Sequence, residues 1–436
     1  MHRGSDTTTF RARAARVFFV LSVAAAFSSC MRATPRTERA LRVWDFKYGE
    51  AAMGDVMREI DRAFEAKHPG VRVDHRALSD VDDDMVLAAA LAANAGPDVV
   101  MVHSGAELRV FESHFLPLDE AFAPYADRIL PGALEACRGS DGSVMAVPLT
   151  VQGFGWYYNK RLFAAAGLDA ELPPHRWEDF LAACGTLGAA GILPIAWGNN
   201  PPHGSDWLRR SFASTFYSDE ELKGLFASPA FADDDRFIRI TLLIRELRDR
   251  GYLDSAGAFR DHIRDASALF RSGKAAMYFG LLSDIANWKE FSDALGPADL
   301  GFFASVDHPS AARPGRLCLQ GAGIVYSVLA SSSAKDLATE YALSYLENGA
   351  AELFVRRVGA LVPLKDARYP LIEYPVLAAI LGAMKTSADD PELHYPDLSV
   401  KEALFRYDEL FYDTREIGIE SYRDALRAAA EGFARP

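Results

Sequence analysis

The chain has 436 residues, half of them hydrophobic and 25% charged, which excludes a largely disordered or low-complexity protein. With 47 basic against 60 acidic residues the net charge is −13, and no Lys/Arg cluster offers the basic face that nucleic acid needs. At roughly 150 residues per domain the length accommodates two large domains or three smaller ones, and four cysteines are too few for a dense disulfide framework.

The first element is an address. Arg11, Arg13 and Arg16 precede the apolar run Val17–Phe27, and Ser28, Ser29 and Cys30 follow. A basic start, a short apolar stretch and small exit residues describe a secretory signal over residues 1–29. The run is too short for an ordinary membrane-spanning helix. Cys30 after two serines resembles a bacterial lipobox, with Phe27 and Ser29 standing where Leu and Gly or Ala are usual. Lipidation at Cys30 would anchor the chain to a membrane through a polar, Pro-containing tether, residues 30–40. Cys137, Cys184 and Cys318 have no His at metal-ligand spacing and read as buried small apolar groups.

The body alternates strands and helices. Leu41–Phe46 reads as a strand, and Asp55 opens a helix with Val56, Ile60 and Phe64 on one face, stopped by Pro69-Gly70. Val71 and Val73 alternate as a second strand. An Ala-rich helix follows Ser79-Asp80 and ends at Gly96-Pro97, and Asp98–Val102 is an apolar run suited to a buried parallel strand. Strands about thirty residues apart with helices between them imply βαβ units. The pattern restarts after Asp141-Gly142. Strands are expected at Val144–Val147, Gly155–Tyr158, Ile192–Trp197, Ala275–Gly280 and Gly323–Val328. Helices are expected at Arg161–Ala166, Trp177–Ala190, near 206–217 and 235–250, at Ala334–Glu347, and over most of the chain beyond Pro363.

Four stretches in order then resemble the extracellular solute-binding proteins of bacterial sugar ABC transporters, the family of maltose-binding protein. They are Gly96-Pro-Asp-Val-Val100; Ala146-Val-Pro with Trp156-Tyr-Tyr-Asn-Lys160, Leu162–Leu168, Pro173-Pro174, Trp177–Phe180 and Gly191–Ile195; Phe270–Met277 closing on Gly280; and Gly359–Pro363. The resemblance covers residues 41–363. It implies an α/β fold of two lobes joined at a hinge, lobe 1 from 41–150 and 321–362, lobe 2 from 151–320 and 363–436. It implies a ligand between the lobes, an ABC permease as partner, a monomer, no cofactor, no metal and no chemistry of its own. Acidic runs at Asp82–Asp84 and Asp233–Asp235 fit the first turns of helices better than a calcium loop.

A sugar needs aromatic faces for its C–H surfaces and polar groups for its hydroxyls. Trp44, Asp45, Phe46 and Tyr48 end the first strand, and His103 and Ser104 end the buried one; loops at strand ends face the cleft of such folds. His103 and Ser104, adjacent on an extended chain, point apart and lack a third member for catalysis. Gln152 matches a ligand-contacting position of the family. Trp197, Asn199, His203 and Trp207 fall on a Gly/Pro/Asn-rich loop, with Trp207 the aromatic platform. The family's Trp after the strand ending at Gly280 is replaced here by Leu281, Leu282, Ser283 and Asp284, which shifts the aromatic role to Tyr278 or Phe279 or changes the ligand; Trp288 lies further on. Gln320 marks a second crossing. Two rivals remain: a sensor that presents ligand without transport, and a secreted glycosidase. The glycosidase would need a carboxylate pair about 5–9.5 Å apart, for which Asp45 and Asp284 carry no signature.

Overall fold

The computed structural model describes residues 39–79, 83–225, 229–253, 262–282, 287–387 and 398–433. Cys30, Ser283 and Asp284 lie outside the described residues. Two mixed sheets organise the chain. The first contains β1 (Arg39–Asp45), β2 (Val71–Ala77), β3 (Val99–His103), β4 (Val147–Pro148) and β10 (Ile324–Val328), in the order β2-β1-β3-β10-β4. The second contains β5 (Val151–Asn159), β6 (Leu193–Ala196), β7 (Ala275–Leu281) and β8 (Leu300–Phe303), in the order β6-β7-β5-β8, with β9 (Cys318–Ala322) paired to β5. This is the two-lobed periplasmic-binding-protein architecture.

In the first sheet β1, β2 and β3 run parallel and β10 antiparallel. Helix α1 (Ala51–Lys67) carries the chain from β1 to β2 and buries Val56, Ile60 and Phe64. It begins four residues earlier than Asp55, with Glu50 as its N-cap. Helix α2 (Asp83–Ala92) then carries the chain back across to β3. Because β2 and β3 flank β1 on opposite sides, the order reverses at β1, and an open α/β sheet leaves a crevice at the carboxyl ends of such strands. The expected strand at 144–147 shrinks to β4, since Val144 pairs only with Arg138 in an isolated bridge.

Three crossings join the sheets. Leu149 N donates to Ile324 O at 3.0 Å and Gly323 N donates to Thr150 O at 3.0 Å. On its other side, Val151 N donates to Leu361 O at 2.7 Å. Between β5 and β9 the register slips so that the extra residue falls in the Gln320–Gly321 stretch of β9. Gly321 takes up the bulge with φ +73, and any Cβ there would stand 2.5 Å from Gly132 O in helix α3 (Pro131–Glu135). Glycine is required on both counts.

The second lobe is packed around aromatic side chains of β5 and β7, against helices α4 (Trp177–Ala189), α5 (His203–Phe216), α6 (Asp235–Asp249) and α7 (Ile263–Arg271). The C-terminal helices α9 (Leu398–Asp408) and α10 (Ile419–Phe433) follow α8 (Val376–Ser387). A buried polar cluster fastens α9 and α10 to α5. Arg209 is ion-paired with Asp408, whose carboxylate also accepts from Ser205 Oγ at 2.9 Å and Tyr422 Oη at 2.7 Å. Burial pushes the Asp408 carboxyl upward, against the opposing pull of Arg209. Asp234 caps α6 by accepting from Arg236 N, and Asp233 pairs with Arg427, so this acidic run serves helix ends. Cys137, Cys184 and Cys318 are buried free thiols. Removing one partner of a buried pair leaves an uncompensated charge, so Arg209→Ala should cost about 3–5 kcal/mol of lobe 2 stability in denaturant unfolding. A midpoint equal to wild type would show that the cluster does not hold the C-terminal helices.

Candidate functional site

The ends of β1 and β3 bring Phe46 and His103 together, where an open α/β sheet leaves its crevice. Phe46 is buried, and its ring stacks on His103 with centroids 4.7 Å apart and planes 23° from parallel. The His103 side chain remains 48% exposed and meets Glu107 Oε2 through Nδ1 at 2.7 Å. Ser104 is turned to the hinge, its Oγ donating to Ala322 O at 2.6 Å and its N–H to Gly323 O at 3.1 Å. His103 and Ser104 therefore face different partners, as expected of neighbours on an extended chain.

Asp45 is placed differently from expectation. It is fully buried: Oδ1 accepts from Lys47 N and from Tyr48 N at 3.0 Å, and Oδ2 accepts from Tyr326 Oη. Its position at a strand end puts the carboxylate under the loop, where it organises the backbone of residues 47 and 48. Trp44 lies on the opposite face of β1 from Leu41, Val43 and Asp45, half-buried against the core with Arg76 over its ring at 5.2 Å. Tyr48 stacks on His75 at 3.8 Å. Lys47 is buried and pairs with Glu50 at 3.2 Å, and Glu50 reaches Arg264 in α7 of the second lobe at 3.5 Å. With Arg264 59% exposed, that cross-lobe pair is worth at most about 1 kcal/mol, but it shows which faces oppose.

The start of α5 carries the second group of candidate residues. Trp207, expected on a loop, stands in the helix with only 9% exposure. Phe154 stacks on it at 5.3 Å and His203 at 5.7 Å, with planes 19° and 26° from parallel. Both faces of the indole are thus covered, and the outer ring of the column is His203, itself edge-on to Phe405 at 5.3 Å. Asn199 is buried, and its Oδ1 accepts from Ser205 N at 2.7 Å, which satisfies an otherwise unpaired N–H of the first turn. Trp197 is 3% exposed; its Nε1 and the Asn199 Nδ2 are enclosed donors with no hydrogen-bond partner among the described residues.

Gly280 has a packing reason. A Cβ there would lie 2.2 Å from the Tyr278 ring. Tyr278 and Phe279 are buried among Phe270 and Phe291 on one side and Phe154 and Trp156 on the other. Trp288 is fully buried, edge-on to Tyr374. None of the three takes the place of the missing Trp, because each is enclosed by packing within its own lobe.

At the hinge, Gln152 is buried, with Oε1 accepting from Gly153 N at 2.9 Å. The bulge belongs to β9, so β5 keeps its alternation and Gln152 projects from the opposite face to Val151. Gln320 lies in β9 within the bulged stretch. On the Val151 face a cavity of about 330 Å³ is lined by Leu130, Ala133, Leu319, Val362, Leu381 and Met384, among others. It contains none of the aromatic, His or Gln residues above. The hinge ribbon separates this apolar cavity from Gln152.

Residues 49–352 match the family described as bacterial extracellular solute-binding protein. Among curated relatives, the sn-glycerol-3-phosphate-binding periplasmic protein of Brucella abortus is 26% identical over 191 residues, 42% of this chain and 41% of that protein. A probable sugar-binding periplasmic protein of Rhizobium meliloti is 30% identical over 171 residues, 37% of this chain and 38% of that one. The chain thus aligns with about two fifths of the length of these curated relatives. Among solved structures, a protein described in work on xylan utilization by Caldanaerobius polysaccharolyticus superposes with TM-score 0.77 at 22% identity, covering 89% of this chain and 99% of that one. Maltose-bound MalE3 of T. maritima superposes with TM-score 0.74 at 16% identity, covering 90% and 99%. At these identities the superpositions establish the fold.

The stacked column gives a direct test of Trp207. A side chain covered on both faces behaves as core, so Trp207→Ala should cost about 3–5 kcal/mol of folding stability. A near-normal melting curve with strongly weakened ligand binding would instead put the indole on the ligand.

Proposed function

Because the chain belongs to the bacterial extracellular solute-binding proteins, we propose that it captures a carbohydrate between its lobes and presents it to the transmembrane subunits of an ABC importer. The observation that supports this reading is a histidine-capped ring stack on each lobe. Phe46–His103 stands at the carboxyl ends of β1 and β3, and Phe154–Trp207–His203 on lobe 2, with Glu50 and Arg264 meeting between the lobes. Each stack exposes an imidazole, a flat face with a hydrogen-bonding edge, which suits the alternating apolar and hydroxyl surfaces of a sugar. The family and the named relatives support a small polar solute; the R. meliloti relative's name supports a sugar.

In this reading His103 and His203 contact the ligand from opposite lobes. Phe46, Lys47 and Gln152 complete the wall and floor, and Ser283, Asp284 and Gln320 are further candidate contacts by their place in the sequence. Asp45, Asn199, Trp197 and Gly280 shape the site from beneath. Residues 1–29 direct export, Cys30 carries lipid, and the protein acts as a monomer at the outer face of a membrane. Among the described residues no helix is long and apolar enough to cross a membrane.

Ligand identity is tested by a thermal-shift screen with xylo-, malto- and chito-oligosaccharides, monosaccharides and sn-glycerol 3-phosphate. A ligand that binds only the native state raises stability by RT ln(1 + [L]/Kd), about 2.7 kcal/mol at a hundredfold excess over Kd. A sugar should shift the melt and remain chemically intact after prolonged incubation. A shift by glycerol phosphate alone would overturn the carbohydrate assignment, and turnover of the bound sugar would favour the glycosidase. Cys30→Ser should release the protein from the membrane fraction or block its processing. A mutant that sediments with membranes as wild type does would remove the lipid anchor from the account.

A further inference from the structure

Beneath the lobe 1 wall lies a buried histidine that the cleft reading does not use. The His75 side chain, on β2, is 1% exposed. Its Nδ1 lies 3.0 Å from Asp61 Oδ2 on α1, and its Nε2 lies 3.4 Å from Asp45 Oδ2 at the end of β1. Both carboxylates already accept from other donors. Asp45 holds the N–H groups of Lys47 and Tyr48 and the hydroxyl of Tyr326, and Asp61 Oδ1 accepts from Tyr341 Oη at 2.6 Å. Ionised carboxylates accept and never donate, and a neutral imidazole has only one N–H. A neutral His75 would therefore turn a lone pair toward one of the two aspartates inside the lobe. Nδ1 is hydrogen-bonded to Asp61, whereas Nε2 stands at ion-pair distance from Asp45 without a formed hydrogen bond; only the imidazolium carries a charge that both carboxylates favour.

We propose that His75 is the positioning residue of the lobe 1 cleft wall: as an imidazolium bridging Asp45 and Asp61 it holds the loop bearing Phe46, Lys47 and Tyr48, and its deprotonation loosens that loop. The coupling is short. Asp45 is the acceptor for the loop's own N–H groups, and the Tyr48 ring lies flat on the imidazole. The charged and titratable groups around the ring are Asp45 from β1, Asp61 from α1, Tyr48 with Arg58 over its face, Tyr326 from β10, and Tyr341 and Tyr345 from the helix Lys335–Ser344 and its C-cap. Burial alone would lower the imidazole, but Asp45 and Asp61 outweigh it and hold it above its ordinary 6.5. Burial and Asp61 likewise push the Tyr48 phenol up to about 12, so it stays neutral beside the ring. Since the folded value is raised, the stabilisation is complete below 6.5 and is lost as pH rises through the folded value. Any consequence for ligand affinity rests on the solute-binding reading; the loop itself does not.

The test therefore reads the loop without ligand. On the full chain, NMR follows the His75 Cε1–Hε1 resonance and hydrogen exchange of the Lys47 and Tyr48 amides from about pH 5.5 to about pH 9. The resonance should titrate with a midpoint above 6.5. Across that midpoint, protection of the two amides, corrected for intrinsic exchange, should fall by about tenfold or more. In His75→Gln, which keeps hydrogen bonding without the charge, protection should be low and independent of pH. If that variant does not fold, the wild-type titration decides alone. A midpoint at or below 6.5, or protection in wild type that does not change with pH, overturns the proposal.

Discussion

Everything else in the molecule depends on the hydrogen bonding of residues 149–151. This one short segment is bonded to Ile324 and Gly323 on one side and to Leu361 on the other. Two sheets are thereby held side by side by three crossings of the chain. Such a junction resists separation of the lobes while leaving rotation about the crossings soft, the usual geometry of a hinge. It also has two faces. Val151 and Leu319 look into an apolar cavity, Gln152 away from it. The glycine at 321 lets the lobe 1 helix at 131–135 approach within contact of the junction, so a side chain there would force the lobes apart on that side.

With the lobes so joined, each wall is built by burying aromatic rings behind a histidine. Phe46, Phe154 and Trp207 belong to the cores, and His103 and His203 cover them. Burying the large rings fixes the orientation of the outer ones, because stacked planes leave an imidazole little freedom to turn. The two lobes reach rigidity by different means. Lobe 1 relies on carboxylates beneath its loop, whereas lobe 2 relies on the Arg209–Asp408 cluster that draws the C-terminal helices against α5. The C-terminal segment thus supports the element that carries Trp207 and His203.

Much of this was legible in the residues. Apolar runs such as Asp98–Val102, the Pro69-Gly70 stop and the Trp156–Lys160 stretch define strands and helices by periodicity and punctuation, and the structure places elements there. The site was less legible, for a reason that recurs. A sequence shows that a Trp or Asp stands near a strand end but not which way it faces. Asp45 and Trp44 are adjacent on β1 and go to opposite faces, one into a tyrosine cluster and the other beside Arg76. Trp207 reads as a loop residue because Pro201-Pro202 and Gly204 precede it. Yet Asn199 supplies the hydrogen bond that lets a helix begin at His203. The buried pairing of His75 with Asp61 joins residues fourteen apart on different elements. No spacing rule announces it, although a lone His in an otherwise alternating strand was the available signal.

The central claim is that two lobes, hinged at residues 149–151, close on a solute held between His103 and His203. Small-angle scattering of the mature protein, without ligand and saturated with a sugar whose binding has been confirmed by calorimetry, tests it most directly. The account requires a smaller radius of gyration in the bound state, because ligand contacts on both walls favour the closed population. An unchanged radius at saturation would contradict it.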